Sequence, residues 1–314
     1  MIRKSAIVSI SKTKLSRIEK KILKKYKPWG IILFSRNIVN SNQLIKLTQE
    51  IRKLMSDKKY PIMIDEEGGT VTRLADIIEN SYSQFFFGKI YEKNMNIGKK
   101  LYINYLGSLI KEIKSLGINI NTVPVLDKIY DKTHKFLKDR CYSNNVNTIK
   151  ALGSICVSTY KKLKMGTVIK HIPGHGYANL DSHKILPSIL LGGKKLIRND
   201  FKCFKNSKSL FAMTAHVKYQ EIDKKNCVTF SKKIISEIIR KKIGFKGILM
   251  SDDLSMKALS HDLVTNAKRS LDAGCNLVLY CKGNSKESIK ILKNVPNIDY
   301  FTKKKTSQFY KLLS

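Results

Sequence analysis

Thr167-Val-Ile-Lys170-His-Ile-Pro-Gly-His175-Gly-Tyr-Ala-Asn-Leu-Asp181-Ser-His183 is the stretch from which the fold can be read. It begins as a β-branched run, the signature of a buried strand. It then changes within two residues into a segment holding three of the chain's six histidines, two glycines and Asp181. Glycine permits sharp turns and histidine titrates near neutral pH. The expected geometry is a buried strand that delivers Lys170 and His171 at its end and passes into a mobile loop carrying proton-transfer groups. A packing core has no need of that density of ionisable side chains.

The pattern repeats outward. Short apolar runs recur at Ala6 to Ile10, Gly30 to Phe34, Pro61 to Asp65, Asn119 to Val125, Thr167 to His171, Leu210 to His216, Gly247 to Asp252 and Cys275 to Cys281. Helical periodicity fills the gaps at Gln43 to Leu54, Asn104 to Leu116, Thr148 to Leu163, Lys233 to Lys242 and Ala267 to Ala273. Eight strands alternating with helices predict an α/β fold, a single (β/α)8 TIM barrel in which residues 1–314 form one catalytic domain. A doubly wound sheet needs a different strand order, which the sequence leaves open.

Barrel active sites collect at the carboxyl ends of the strands. Ionisable residues stand there in four runs: Asp65 after the third, Lys170 and His171 after the fifth, His216 after the sixth, and Asp252 and Asp253 after the seventh. A single strand-end aspartate often only caps a helix. Four such ends together point to chemistry.

The net charge of +36 at pH 7 invites a nucleic-acid or anionic-membrane reading. The lysines, however, run from Lys4 to Lys311 without a long basic block or interleaved aromatics, as on a solvated surface. Neither a nucleic-acid nor a membrane partner is expected. No run approaches eighteen apolar residues, and Ala6 to Ile10 is too short for a signal segment. The six cysteines contain no C-x-x-C pair and read as reduced core residues of a cytoplasmic protein. The histidine spacing matches no usual zinc pattern, so no metal is expected. His134 and His261 lie outside every motif and read as surface or packing residues, and His216 as a residue of the pocket floor.

Four blocks together carry a resemblance: Asp65-Glu-Glu-Gly-Gly with Arg73, Lys170-His-Ile-Pro-Gly-His-Gly, Asp181-Ser-His183, and Ser251-Asp-Asp-Leu-Ser-Met256. In this order, from about Gly30 to about Tyr280, the chain resembles bacterial β-N-acetylhexosaminidases of glycoside hydrolase family 3. The resemblance implies that Asp252 is a nucleophile, His183 the general acid/base and Asp181 its hydrogen-bond partner. It implies that Asp65, Arg73, Arg140, Lys170 and His171 bind the sugar. An imidazole titrating at about pH 6.5 can give a proton to a leaving oxygen and later take one from water. The implied reaction is retaining removal of terminal non-reducing N-acetylglucosamine from anhydro-muropeptides, in peptidoglycan recycling, by a monomer that needs no cofactor. A phosphorylase on the same scaffold and a basic, non-catalytic polymer-binding protein are the alternatives. Thr70, Glu66 and Lys138-Asp-Arg-Cys-Tyr142 depart from the family's more usual Arg, Gln and Gly-Asp-Arg-Ser-Phe, which bears on affinity more than on reaction type.

Overall fold

The computed structural model describes residues 2–182, 185–191, 196 and 199–314. Eight parallel strands close into a barrel in the order β1 (Lys4–Val8), β10 (Leu277–Tyr280), β9 (Ile248–Asp253), β7 (Phe211–Thr214), β5 (Gly166–Ile172), β4 (Ile120–Asn121), β3 (Ile62–Ile64) and β2 (Pro28–Leu33). Each arises from one of the eight apolar runs. The remaining strands, β6 (Ser188–Ile189) and β8 (Lys218–Tyr219), pair in parallel outside the barrel.

Strands covered on both faces read as near-continuous apolar runs, and β2, β5 and β7 are buried along their whole length. One set of side chains fills the barrel: Ile7, Ile32, Met63, Ile120, Val168, Met213, Met250 and Leu279 belong to a single apolar cluster. The helix Tyr300–Leu313 closes the amino-terminal mouth. Its Phe309 meets Phe211 edge-on, with ring centroids 5.2 Å apart, and its Thr306 Oγ1 accepts from Trp29 Nε1 at 2.8 Å. The barrel interior at that end is plugged with apolar side chains.

The outer helices follow the predicted periodicity. They include Ser41–Met55, Met95–Ser115, Val146–Lys162 and Leu263–Ala273. Ile234–Lys242 takes the wider π-helical spacing rather than the α-helix its period suggests. The helix over Asp200–Phe204 is short. The six cysteines are free thiols, all buried except the half-buried Cys281. No described helix is long and apolar enough to cross a membrane.

Candidate active site

The turn after β3 sets the first wall of the cleft. Gly68 (φ +92°) and Gly69 (φ +60°) let the chain double back, so that the backbone N–H groups of Glu67 and Gly68 both donate to the Val71 carbonyl. Glu66 turns away from the cleft. Its carboxylate accepts from the backbone N–H groups of Arg73 (2.7 Å) and Leu74 (3.0 Å) and from Asn80, pinning the loop it begins. Asp65 and Glu67 line the cleft instead.

The buried Glu67 carboxylate receives a two-pronged contact from Arg140, Nε at 2.8 Å and Nη2 at 2.9 Å, and a third from Lys170 Nζ at 2.5 Å. Burial alone would raise its pKa, but the two cations hold it down at about 2. Asp65 is treated likewise. Burial opposes ionisation, yet Lys170, Arg73 and the donating Thr122 hydroxyl keep its pKa far below the usual range. Lys170 Nζ lies 3.4 Å from Asp65 Oδ1 and donates to Thr122 Oγ1 at 2.8 Å. Arg73 reaches Asp65 Oδ2 at 3.5 Å. The result is a ring of fixed donors and acceptors with little freedom, suited to hydroxyl groups of a ligand.

The second wall comes from the ends of β4 and β5. Asp127 is fully buried and accepts from His171 Nδ1 (2.7 Å), from the His171 backbone N–H (3.2 Å) and from the His175 backbone N–H (2.7 Å). Burial would raise Asp127, but the two histidines lower it, so it stays ionised and can only accept. The proton in its contact with His171 therefore sits on Nδ1, and the ring's orientation is set. His175 Nε2 bonds Ser182 Oγ at 3.0 Å. Burial, and then the neighbouring His171, push the His175 ring down to about 4 and keep it neutral near pH 7. Beyond it, Leu180, Asp181 and Ser182 line the cleft.

The third wall is the carboxyl end of β9. Asp252 borders the cleft and accepts the Asp253 backbone N–H on Oδ1 at 2.8 Å. Asp253 faces the other way, accepting from the Ser255 hydroxyl (2.6 Å) and from the backbone N–H groups of Ser255 and Cys281. Burial, with some repulsion from Asp252, raises its pKa. His216 is fully buried behind this strand end; its Nε2 contacts the Asp253 carbonyl at 3.1 Å and its Nδ1 meets Thr229 Oγ1 at 2.8 Å. Burial lowers its pKa, so the neutral ring donates from Nε2 and braces β9. It is a strut for Asp253 rather than a surface of the cleft floor.

The cleft occupies about 700 Å³, its open mouth included. It brings together Asp65, Arg73, Arg140, Lys170, His171, Asp181 and Asp252 from the sequence-based set. His183 lies outside the described residues. Four lining or supporting groups were not anticipated. Glu67 was hidden beside Asp65, although residues two apart on an extended segment share a side. Asp127 follows the fourth strand run, so the strand-end rule applied to it as well. Phe136 gave no local signal, and neither did His134, which lines the cleft instead of lying on an unrelated surface. His261 sits against Phe230 on the helix layer, away from the cleft. Among the described residues, no group of three or more His, Cys, Asp or Glu is arranged to hold a metal ion.

The family description "Glycosyl hydrolase family 3 N terminal domain" matches residues 3–306. A beta-hexosaminidase of Bordetella pertussis is 30% identical over 284 residues, 88% of this chain and 79% of its own length. A beta-hexosaminidase of Psychromonas ingrahamii is 30% identical over 296 residues, 92% of this chain and 86% of its own. The crystal structure of NagZ from Neisseria gonorrhoeae in complex with N-trifluoroacetyl-D-glucosamine is similar with a TM-score of 0.87 at 28% identity, covering 98% of this chain and 90% of that one.

Proposed function

Since the chain belongs to glycosyl hydrolase family 3 and is a glycoside hydrolase, we propose that it removes terminal non-reducing β-linked N-acetylglucosamine with retention. A carboxylate of Asp252 attacks the anomeric carbon as the bond to the aglycone oxygen breaks, and His183 gives that oxygen its proton. Water then attacks the glycosyl-enzyme from the face just vacated. His183 takes up a water proton, and Asp252 is released as carboxylate. Asp181 orients the histidine. Asp65, Arg73, Arg140, Lys170 and His171 hold the sugar hydroxyls, and Glu67 fixes Arg140 and Lys170 in place.

One observation carries this reading: Asp252, Asp181 and the Asp65–Glu67–Arg140–Lys170 cluster face a single cleft at the carboxyl end of the barrel. The name of the gonococcal relative's ligand, an N-acylated glucosamine, supports the choice of sugar. We extend the reading to a cytoplasmic, monomeric, single-domain enzyme acting on peptidoglycan fragments without metal or organic cofactor. A 2-fluoro glycosyl trap followed by peptide mapping tests it, with a label expected on Asp252 and none on Asp253. Label elsewhere rejects the nucleophile. Release of sugar 1-phosphate only when phosphate is present establishes phosphorolysis instead.

A further inference from the structure

The segment that leads to Asp181 is clamped by groups outside the sugar-holding cluster. Gly176 packs so closely on Lys128 that a Cβ there would stand 1.8 Å from the Lys128 carbonyl oxygen. The Gly176 carbonyl accepts from Thr133 Oγ1 at 2.5 Å, and the Ala178 carbonyl from the His134 backbone N–H at 3.3 Å. The Gly174 carbonyl accepts from Tyr219 Oη at 2.5 Å. Tyr177 rests edge-on against Tyr130, with ring centroids 4.6 Å apart. Tyr130 is fixed from behind, because its hydroxyl donates to Asp200 Oδ2 at 2.6 Å and Lys128 Nζ sits 4.0 Å from its ring centroid. Asp200 is 1% exposed, touches the face of Gly174, and has an Oδ1 with no hydrogen-bond partner among the described residues.

A buried carboxylate with one unsatisfied oxygen is costly, so its place beside the loop stem calls for a use. We propose that Asp200 and Tyr130 are positioning residues for the acid/base loop: their hydrogen bond locks the Tyr130 ring as the platform on which Tyr177 rests, which sets how deeply the Asp181 segment enters the cleft. The proposal rests on the glycosidase reading of that segment. Neither residue lines the cleft. The link to the cleft runs through the His175–Ser182 hydrogen bond, which joins the clamped stem to the residue between Asp181 and His183.

The test uses the full chain and a disaccharide substrate. In Tyr130→Phe the ring stays but the anchor is lost, and kcat is expected to fall about tenfold, because small misplacements of a catalytic group are expensive. The inhibition constant for free N-acetylglucosamine, which reports the Asp65 cluster, is expected to change less than twofold. Backbone amides 176–182 are expected to exchange faster with solvent. In Asp200→Asn an amide oxygen still accepts from Tyr130, so kcat is expected to stay within twofold of wild type, while Asp200→Leu repeats the Tyr130→Phe defect. Wild-type kcat and unchanged exchange in Tyr130→Phe overturn the positioning role, as does Asp200→Asn behaving like Asp200→Leu. If Asp181→Ala leaves disaccharide cleavage untouched, the acid/base reading itself fails. If Asp181→Ala cripples the enzyme while Tyr130→Phe does nothing, only the positioning role is lost.

Discussion

Replacing Glu67 by glutamine tests whether the cluster around it is held by charge or merely by packing. The amide keeps the volume and one acceptor oxygen, but Arg140 and Lys170 then share a buried site without the counter-charge between them. The carboxyl sits at about 2 against an ordinary 4.5. At about 1.4 kcal/mol per pKa unit, the folded state therefore favours the ionised form by about 3 kcal/mol. Because the folded pKa is depressed, this contribution is complete above the unfolded value and disappears as pH falls from 4.5 towards 2. With an unfolding entropy of about 2.1 cal/mol/K per residue, a chain of this length shifts Tm by about 1.5 °C per kcal/mol. Glu67→Gln is expected to melt about 4–5 °C below wild type at pH 7 and to approach it at pH 3. KM for a chromogenic β-N-acetylglucosaminide should rise about tenfold as Arg140 loses its paired contacts. Thermal unfolding across pH, alongside initial-rate kinetics, reads both effects. A variant with wild-type Tm and KM at pH 7 refutes the view that Glu67 organises the sugar-binding cations.

Three further outcomes are expected. Asp200→Asn should raise stability at pH 8, since burial has lifted that carboxyl to about 6. A raised carboxyl pKa costs folding stability as pH climbs from 3.8 past 6; removing the charge recovers about 3 kcal/mol, less about 1 kcal/mol for an unpaired amide N–H, so the gain in melting should vanish at pH 4. Gly176→Ala has no room for its methyl against the Lys128 carbonyl; turnover should drop at least tenfold with free-sugar binding intact, and wild-type kcat would contradict the clamped stem. For His183→Ala, cleavage of a natural disaccharide should collapse while an activated nitrophenyl glycoside suffers less, since phenolate leaves without a proton; equal losses when glycosylation limits the rate would send the search for the acid elsewhere.

The elements that chain-local physics decides were legible. Each of the eight apolar runs became a barrel strand, because β-branched stretches bounded by turn residues have few other places to be buried. The run Asn119 to Val125 shrank to the two-residue β4 for one local reason and one long-range one. Pro124 has no N–H for the ladder, and the side-chain oxygens of Asn119 and Asn121 take the backbone N–H groups of Ile62 and Glu66, replacing ladder bonds. Side-chain type at a strand end was legible in the same way, which is why Asp65, Lys170, His171 and Asp252 could be placed without a structure.

Partner choice was not legible, because it depends on which strand ends the closed barrel brings face to face. Nothing near Glu67 says that Arg140, 73 residues further on, will grip it, and nothing near Tyr130 says that its hydroxyl will find Asp200, 70 residues away. Asp65 and Asp252 illustrate the limit well. Both are aspartates closing apolar strands, and their local sequences offer no way to tell a sugar clamp from a nucleophile. The fold gives Asp65 its own neighbours: it lies within reach of Lys170, Arg73 and Thr122, which engages its oxygens with cations and a hydroxyl. Asp252 has its Oδ1 tied by the next backbone N–H while its side chain borders the cleft that Asp181 also lines. A carboxylate already engaged by two cations is a poor nucleophile, since attack on the anomeric carbon would have to break those contacts first. For Asp65 to take the role proposed for Asp252, Lys170 and Arg73 would have to be moved away from it.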